Sequence, residues 1–152
     1  SNLPAGKVFV LPKEGSMNGK IVIDGSWEGR LLSEKIVLRV ENGLVAEIED
    51  GENSQEIKGI FELAKAGIRG SKKDLVWTVA EFGFGMNPKA TKIVGNRVED
   101  LVVRGSAYFG FGDNTHIGGS ARVGLHQRGT VSLPEVSLDD ITVISGGKVS
   151  AR

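Results

Sequence analysis

Both histidines of this chain, His116 and His126, lie in one glycine-rich stretch that also contains Asp113. The stretch runs from Gly105 to Gly129 and reads GSAYFGFGDNTHIGGSARVGLHQRG. Because the chain has no cysteine, imidazole nitrogen and carboxylate oxygen are the remaining ligands for zinc, iron or manganese. Together with Glu81, these three residues are the candidate donors of a metal site. The alternative is that the glycines only shape a tight turn around a structural histidine.

Glu81 is the single charge in the run LVWTVAEFGFG. This run predicts a buried strand, because it is continuously apolar and rich in β-branched and aromatic residues. An unpaired carboxylate buried there would be strongly destabilising. We therefore expect Glu81 to be either a structural group in an ion pair or hydrogen bond, or a metal ligand.

Two other kinds of site have no support in the sequence. No glycine-rich segment ends in Gly-Lys-Ser/Thr or opens a helix after a first strand, as phosphate and dinucleotide sites require. No Gly-x-Ser-x-Gly elbow occurs either, and Ser106 and Ser120 have no setting typical of a nucleophile.

The composition limits the class of protein. The 152 residues are enough for one domain with a single core. Nineteen basic and nineteen acidic side chains balance to zero net charge, which disfavours nucleic acid and anionic membranes as partners. No apolar run is long enough to span a bilayer, and we expect a cytoplasmic protein.

Many glycines between short Val/Ile-rich runs predict an α+β domain that is mostly β, with a mixed or antiparallel sheet and hairpins. A strand is expected over Lys20–Gly25, and a hairpin over Lys35–Asp50 turns at Asn42-Gly43. One main amphipathic helix is expected to begin with Asn53 or Ser54 as its N-cap and to end at Gly67. The C-terminal region predicts short strands with a hairpin at Asp139-Asp140 or at Gly146-Gly147.

An ordered set of segments carries a family resemblance. The segments are NLPAGKVFVLPKEGSMNGKIVIDGS, AEFGFGMNPKA, GSAYFGFGDNTHIGG and LHQRGTVSLPEVSLD. They resemble the C-terminal part of the aminopeptidase T (leucyl aminopeptidase-like) metallopeptidases, whose relatives include the dihydroxypyridine dioxygenases. The resemblance implies a paired metal site, peptide hydrolysis, and residues 1–152 as one metallopeptidase-like C-terminal domain of a longer two-domain enzyme.

The resemblance also implies that most metal ligands are replaced. Glu81 and His126 stand at retained ligand positions, whereas Lys7, Tyr108 and Arg128 stand at substituted ones. It therefore implies a degenerate domain with a binding, regulatory or assembly role, with no cofactor expected or, if any, a divalent ion such as zinc or cobalt. An N-terminal partner domain, a homo-oligomer or a peptide-like ligand would be its partner.

The rival interpretation is a working hydrolase or dioxygenase-like enzyme with an altered single-metal site. In such an enzyme one ion would be held by His126, Glu81 and also His116. For the degenerate domain we expect Glu81 to pair with Lys7 or Arg128, the substituted cation standing in for the absent metal, since an apolar strand would not hold the charge of Glu81 alone. We further expect positions with a positive φ or a close backbone contact among four glycines: Gly83, Gly85, Gly112 and Gly118.

Overall fold

Twelve short strands and one α-helix make up the part of the chain that the computed structural model describes, residues 5–150. The strands are β1 (Lys7–Val10), β2 (Gly19–Ile23), β3 (Ser26–Trp27), β4 (Arg30–Leu31), β5 (Ile36–Glu41), β6 (Leu44–Ile48), β7 (Val79–Gly85), β8 (Ala107–Gly112), β9 (His126–Val131), β10 (Val136–Leu138), β11 (Ile141–Ser145) and β12 (Lys148–Val149). The helix is α1 (Glu52–Ala66), and three 3-10 segments cover Ser71–Trp77, Asp100–Val102 and Thr115–Ile117.

The strands form three sheets. The largest has the order β1-β7-β8-β9-β3-β4, and two three-stranded sheets have the orders β2-β5-β6 and β10-β11-β12. Every strand pairing in them is antiparallel. The predicted class, α+β and mostly β, is confirmed.

The β5–β6 hairpin forms because its turn residues accept a left-handed backbone. Asn42 and Gly43 have φ values of 51° and 78°, as a type I′ turn requires. Both turns predicted as alternatives near the C-terminus are present, because Asp139-Asp140 joins β10 to β11 and Gly146-Gly147 joins β11 to β12. The hairpin predictions are confirmed.

Helix α1 was predicted in the right place with a slightly wrong start. Gly51, rather than Asn53 or Ser54, is its N-cap, and Gly67 is its C-cap. The side chain of Ser54 instead donates a hydrogen bond to the carbonyl oxygen of Glu49. Ile57 and Phe61 form the buried face of the helix, as the apolar spacing predicts.

The strand prediction for LVWTVAEFGFG is wrong in its first part. Leu75 and Trp77 belong to the 3-10 segment, and the strand begins only at Val79. Trp77 stacks on Phe61 of α1, with ring centroids 4.6 Å apart and an interplanar angle of 13°. A short apolar run fits a buried 3-10 turn as well as a strand, so periodicity alone did not distinguish them.

The main core covers one face of the large sheet. Phe111 of β8 stacks on Trp27 of β3 at 5.4 Å, and Trp27 contacts Phe61 of α1 edge-on at 6.5 Å. Buried residues of β2 and β5, such as Ile23 and Leu38, belong to the same cluster. Because successive residues of a strand point to opposite faces, the residues between these core positions face the other side of the sheet. No helix among residues 5–150 is both long and apolar enough to cross a membrane.

Candidate metal centre

Four neighbouring strands of the large sheet place five polar side chains on the face opposite the main core. The strand register pairs Lys7 with Gly85, Gly83 with Tyr108, Gly110 with Arg128, and Gly112 with His126. Residues paired across antiparallel strands share a face, as do residues two apart in one strand. The shared face therefore holds the side chains of Lys7, Glu81, Tyr108, His126 and Arg128.

Glycines on that face make the space for this cluster. A Cβ atom on Gly83 would lie 2.6 Å from the ring of Tyr108. One on Gly110 would lie 2.9 Å from the Cβ atom of Glu81 and 3.0 Å from ring atoms of His126. The alternation of phenylalanine and glycine in EFGFG and YFGFG thus sends bulky rings to one face and leaves room on the other.

The glycine prediction is confirmed at three of its four positions. Gly112 and Gly118 have positive φ values of 100° and 92°, and a Cβ atom on Gly85 would collide with the backbone carbonyl of Val103. Gly83 differs, because its close contact is with the side chain of Tyr108 rather than with backbone. These positions resist any larger residue for reasons of conformation or of space.

Glu81 lies at the centre of the cluster and is only 1% exposed. Tyr108 donates its hydroxyl proton to Oε1 at 2.6 Å, and Arg128 donates from Nε and Nη2 to Oε2 at 3.3 and 3.2 Å. The ammonium of Lys7 lies 3.9 Å from Oε1. The prediction of an ion pair with Lys7 or Arg128 is confirmed, since both cations take part.

These contacts keep Glu81 ionised. Burial alone would raise its pKa, but polar contacts with His126 and Tyr108 and the charges of Arg128 and Lys7 outweigh it and lower the pKa to about 2. The same contact has the opposite effect on Tyr108: burial and the hydrogen bond to Glu81 raise its pKa well above the usual range. Near neutral pH the pair is therefore a carboxylate and a neutral phenol.

Both histidines approach the carboxylate. Nε2 of His126 lies 3.4 Å from Oε2 of Glu81, and Nε2 of His116 lies 3.7 Å from the same oxygen. The two rings meet edge-on with centroids 4.8 Å apart. One ligand atom from each of these three residues lies within 4.8 Å of the others. The structure thus brings His116, as well as Glu81 and His126, to one point.

The hydrogen bonding of His126 fixes which of its ring nitrogens is free. Nδ1 lies 2.7 Å from the backbone carbonyl oxygen of Asp113, and a carbonyl oxygen only accepts, so Nδ1 carries the proton. Nε2 is buried and has no hydrogen-bond partner within residues 5–150. In the neutral ring the lone pair of Nε2 would face the carboxylate of Glu81, and two such acceptors repel each other. The contact with His126 therefore favours the ionised carboxylate only with a proton or a cation between the two atoms.

His116 reaches the site because a tightly bonded loop holds it there. Asp113 accepts hydrogen bonds from the backbone nitrogens of Thr115, Val123 and Gly124. Burial would raise the pKa of Asp113, but a hydrogen bond from the Thr115 hydroxyl and these backbone bonds outweigh it and hold the pKa well below its usual range. The carboxylate of Asp113 is thereby engaged within the loop, and the candidate metal role of Asp113 is wrong.

Sequence reasoning missed the residue that ties this loop to the rest of the protein. Glu14 accepts hydrogen bonds from the side-chain amide of Asn114 and from both the backbone nitrogen and the hydroxyl of Ser120. Those bonds also lower the pKa of Glu14. An isolated glutamate before a glycine carries no sequence signal of such a contact, since it joins positions 100 and 106 residues apart.

The two serines near the histidines in sequence have no part in the cluster. Ser106 donates its hydroxyl to the carbonyl oxygen of Val103, and Ser120 bonds Glu14. A groove of about 800 Å³ lies elsewhere, between the β5–β6 hairpin, α1 and the first 3-10 segment, and its lining contains no residue of the cluster. The chemistry of the described residues is therefore concentrated around Glu81.

The donor set fits one metal ion rather than two. Two imidazole nitrogens and one carboxylate oxygen can occupy one side of an ion and leave other positions open. The orphaned, buried Nε2 of His126 is the observation that favours an ion here. Arg128 opposes it, because the guanidinium occupies the same oxygen of Glu81 that both histidines approach.

Comparisons with known proteins show the family and the fold of the chain. A family model for NicX, described as 2,5-dihydroxypyridine 5,6-dioxygenase, matches residues 1–151. No curated protein matches the chain. The solved structure of 2,5-dihydroxypyridine dioxygenase from Pseudomonas putida KT2440 has the same fold, with a TM-score of 0.82 and 23% sequence identity. The match covers 98% of this chain and 44% of that one, so this chain spans less than half of that protein's length.

These matches overturn the resemblance drawn from the sequence. The assignment to the aminopeptidase T family is wrong, and with it the metallopeptidase and hydrolase-like classification. The segments that carried the resemblance do build one site, around Glu81, Tyr108, His126 and Arg128. Interpreting Lys7, Tyr108 and Arg128 as replaced peptidase ligands loses its basis.

Proposed function

Because this chain belongs to the NicX family of 2,5-dihydroxypyridine 5,6-dioxygenases, we propose that it forms the metal-binding part of a dioxygenase that opens a hydroxylated aromatic ring. Glu81, His116 and His126 would hold a ferrous ion. The observation that carries the proposal is the convergence of two imidazole nitrogens on one carboxylate oxygen, with the buried nitrogen of His126 unpartnered within residues 5–150. Two histidines and one carboxylate are the donor set of non-haem iron oxygenases.

A bound ferrous ion would supply the redox chemistry with dioxygen that opening an aromatic ring requires. The protein's own residues prepare the donors for it. The carbonyl group of Asp113 holds the proton of His126 on Nδ1 and so leaves Nε2 as the ligand atom. Tyr108 fixes the carboxylate of Glu81 through Oε1, which leaves Oε2 directed at the histidines.

Arg128 has a different role in this proposal from the one that the sequence suggested. Arg128 and the ion would compete for Oε2 of Glu81, so uptake of the ion would displace the guanidinium from that oxygen. In this proposal Arg128 weakens metal binding, because it must give up its contact with Oε2. Membership of a dioxygenase family, rather than the position of Arg128, favours the altered single-metal enzyme over the degenerate domain, and iron over the zinc or cobalt expected from the resemblance.

Iron uptake and ring opening together test the proposal. The chain would be loaded with ferrous ion under argon, desalted, and then mixed with 2,5-dihydroxypyridine and dioxygen. We expect about one retained iron per chain, and dioxygen uptake equal to the loss of the ring's ultraviolet absorbance. His116→Gln and His126→Gln should abolish both, whereas Glu47→Gln, on an exposed part of β6, should change neither. Iron retention that survives both histidine substitutions would refute the proposed ligands.

A further inference from the structure

An exposed aromatic ring lies beside the candidate metal centre on the same face of the sheet. Phe9 of β1 pairs with Gly83 of β7. Glu81 lies two residues before Gly83 in the same strand, so the side chains of Phe9 and Glu81 share one face of the sheet. The ring of Phe9 is 42% exposed, whereas Tyr108 and Glu81 beside it are fully buried. Phe9 is therefore an exposed apolar ring at the edge of a polar cluster whose central residue, Glu81, is buried.

The ammonium of Lys7 stands next to this ring without a hydrogen-bond acceptor among residues 5–150. Its Nζ lies 5.1 Å from the ring centroid of Phe9 and 5.3 Å from that of Tyr108. The nearest carboxylate oxygen, Oε1 of Glu81, is 3.9 Å away and already accepts the proton of Tyr108. The side chain of Lys7 is only 21% exposed, so its ammonium is partly shielded from solvent and incompletely paired.

The charge around the cluster is also unbalanced. One carboxylate, Glu81, faces two cations, Lys7 and Arg128, which leaves one positive charge in excess. A divalent ion at the histidines would raise the excess to three. A partly buried site with this charge favours an anion close to Lys7.

We propose that Lys7 and Phe9 form a subsite for a planar aromatic anion, with the ring stacked on Phe9 and the anionic group against the ammonium of Lys7. The subsite would bind the substrate of the proposed dioxygenase, because a hydroxylated aromatic ring that is ionised at oxygen is a planar aromatic anion. In that respect the subsite rests on the proposed function. The contacts that carry it are independent of the metal. An aromatic anion satisfies both groups at once, since stacking uses the exposed ring and the charge fills the free donors of the ammonium.

NMR titration of the metal-free chain with three small probes tests the subsite directly. Benzoate is planar and anionic, cyclohexanecarboxylate is anionic without an aromatic ring, and benzyl alcohol is aromatic without charge. We expect benzoate to bind about fivefold or more tightly than either of the others, as a contact of about 1 kcal/mol implies. Its chemical-shift changes should be centred on β1 and on the neighbouring part of β7.

Matched substitutions show whether the two residues are responsible. Lys7→Gln and Phe9→Ala should each weaken benzoate binding by about fivefold or more. Two controls should stay close to the unsubstituted chain: Val8→Ala, on the opposite face of β1, and Lys13→Gln, on an exposed loop. Benzoate binding that neither Lys7→Gln nor Phe9→Ala weakens would overturn the subsite, as would the absence of saturable binding.

The outcomes for the metal and for the subsite are separable. If the chain retains iron but gives no saturable benzoate titration, the subsite is wrong while the proposed function stands. If benzoate binds through Lys7 and Phe9 but the chain retains no iron, the subsite is supported and the proposed dioxygenase centre is not.

Discussion

Replacing Glu81 by glutamine should destabilise the metal-free protein by about 3 kcal/mol near neutral pH. The contacts in the cluster lower the pKa of Glu81 from 4.5 to about 2, and each pKa unit corresponds to about 1.4 kcal/mol. Glutamine keeps an oxygen that can accept the proton of Tyr108, so the loss measures the charge rather than that hydrogen bond. The physical cost is that Arg128 and Lys7 lose their common counter-ion.

The pH dependence of this effect has a definite sign. Because the folded-state pKa of Glu81 is lowered, its contribution is fully present above about pH 4.5 and is lost as the pH falls toward 2. The difference in unfolding free energy between the wild type and Glu81→Gln should therefore shrink to about 1.4 kcal/mol at pH 3. Other carboxylates titrate equally in both proteins and cancel in this difference.

Urea unfolding at pH 6 and pH 3, followed by tryptophan fluorescence, measures both values. Glu47→Gln serves as the control, because Glu47 is 57% exposed in its surface pair with Arg39, and its loss should cost less than about 1 kcal/mol. A cost below about 1 kcal/mol for Glu81→Gln at pH 6 would refute the electrostatic account. A difference that stays constant between the two pH values would refute the assigned pKa shift.

Three further predictions concern metal affinity and packing. Arg128→Gln should bind ferrous ion about tenfold more tightly than the wild type in a competition titration, because the guanidinium no longer competes for Oε2 of Glu81; unchanged or weaker binding would contradict that competition. Gly110→Ala should lower stability by about 1–3 kcal/mol in urea unfolding, since its methyl group would press on Glu81 and His126; an unchanged midpoint would show that the cluster is loosely packed. Gly59→Ala should raise stability by about 0.5–1 kcal/mol, because Gly59 lies in α1 with open space around it; a lowered melting temperature would contradict the position of the exposed helix face.

Local sequence patterns were sufficient for the elements that short-range physics determines. The Asn42-Gly43 turn needs left-handed backbone at two consecutive positions, and these residue types supply it. The isolated charge of Glu81 in an apolar strand required a partner, and the structure provides Arg128 and Lys7. In each case one residue type has few physically acceptable environments.

The site as a whole depended on long-range pairing that no local pattern encodes. Strand β1 lies beside β7, more than 70 residues away along the chain, and this pairing places Lys7 and Phe9 next to the cluster. His116 reaches the cluster only because hydrogen bonds to Asp113 and Glu14 hold its loop. Glycine-aromatic alternation indicates a sheet with space on one face, but it does not distinguish a peptidase from a dioxygenase.

X-ray absorption at the iron edge of the ferrous-loaded chain is the most direct test of the central claim, that Glu81, His116 and His126 hold one metal ion. We expect about one iron per chain, with a first shell of nitrogen and oxygen at about 2.0–2.2 Å and outer-shell scattering from two imidazole rings. His126→Gln should remove one imidazole contribution or the bound iron altogether. A chain that retains no iron, or whose iron shows no imidazole scattering, would contradict the claim and leave Glu81 as the counter-ion of Arg128 and Lys7 alone.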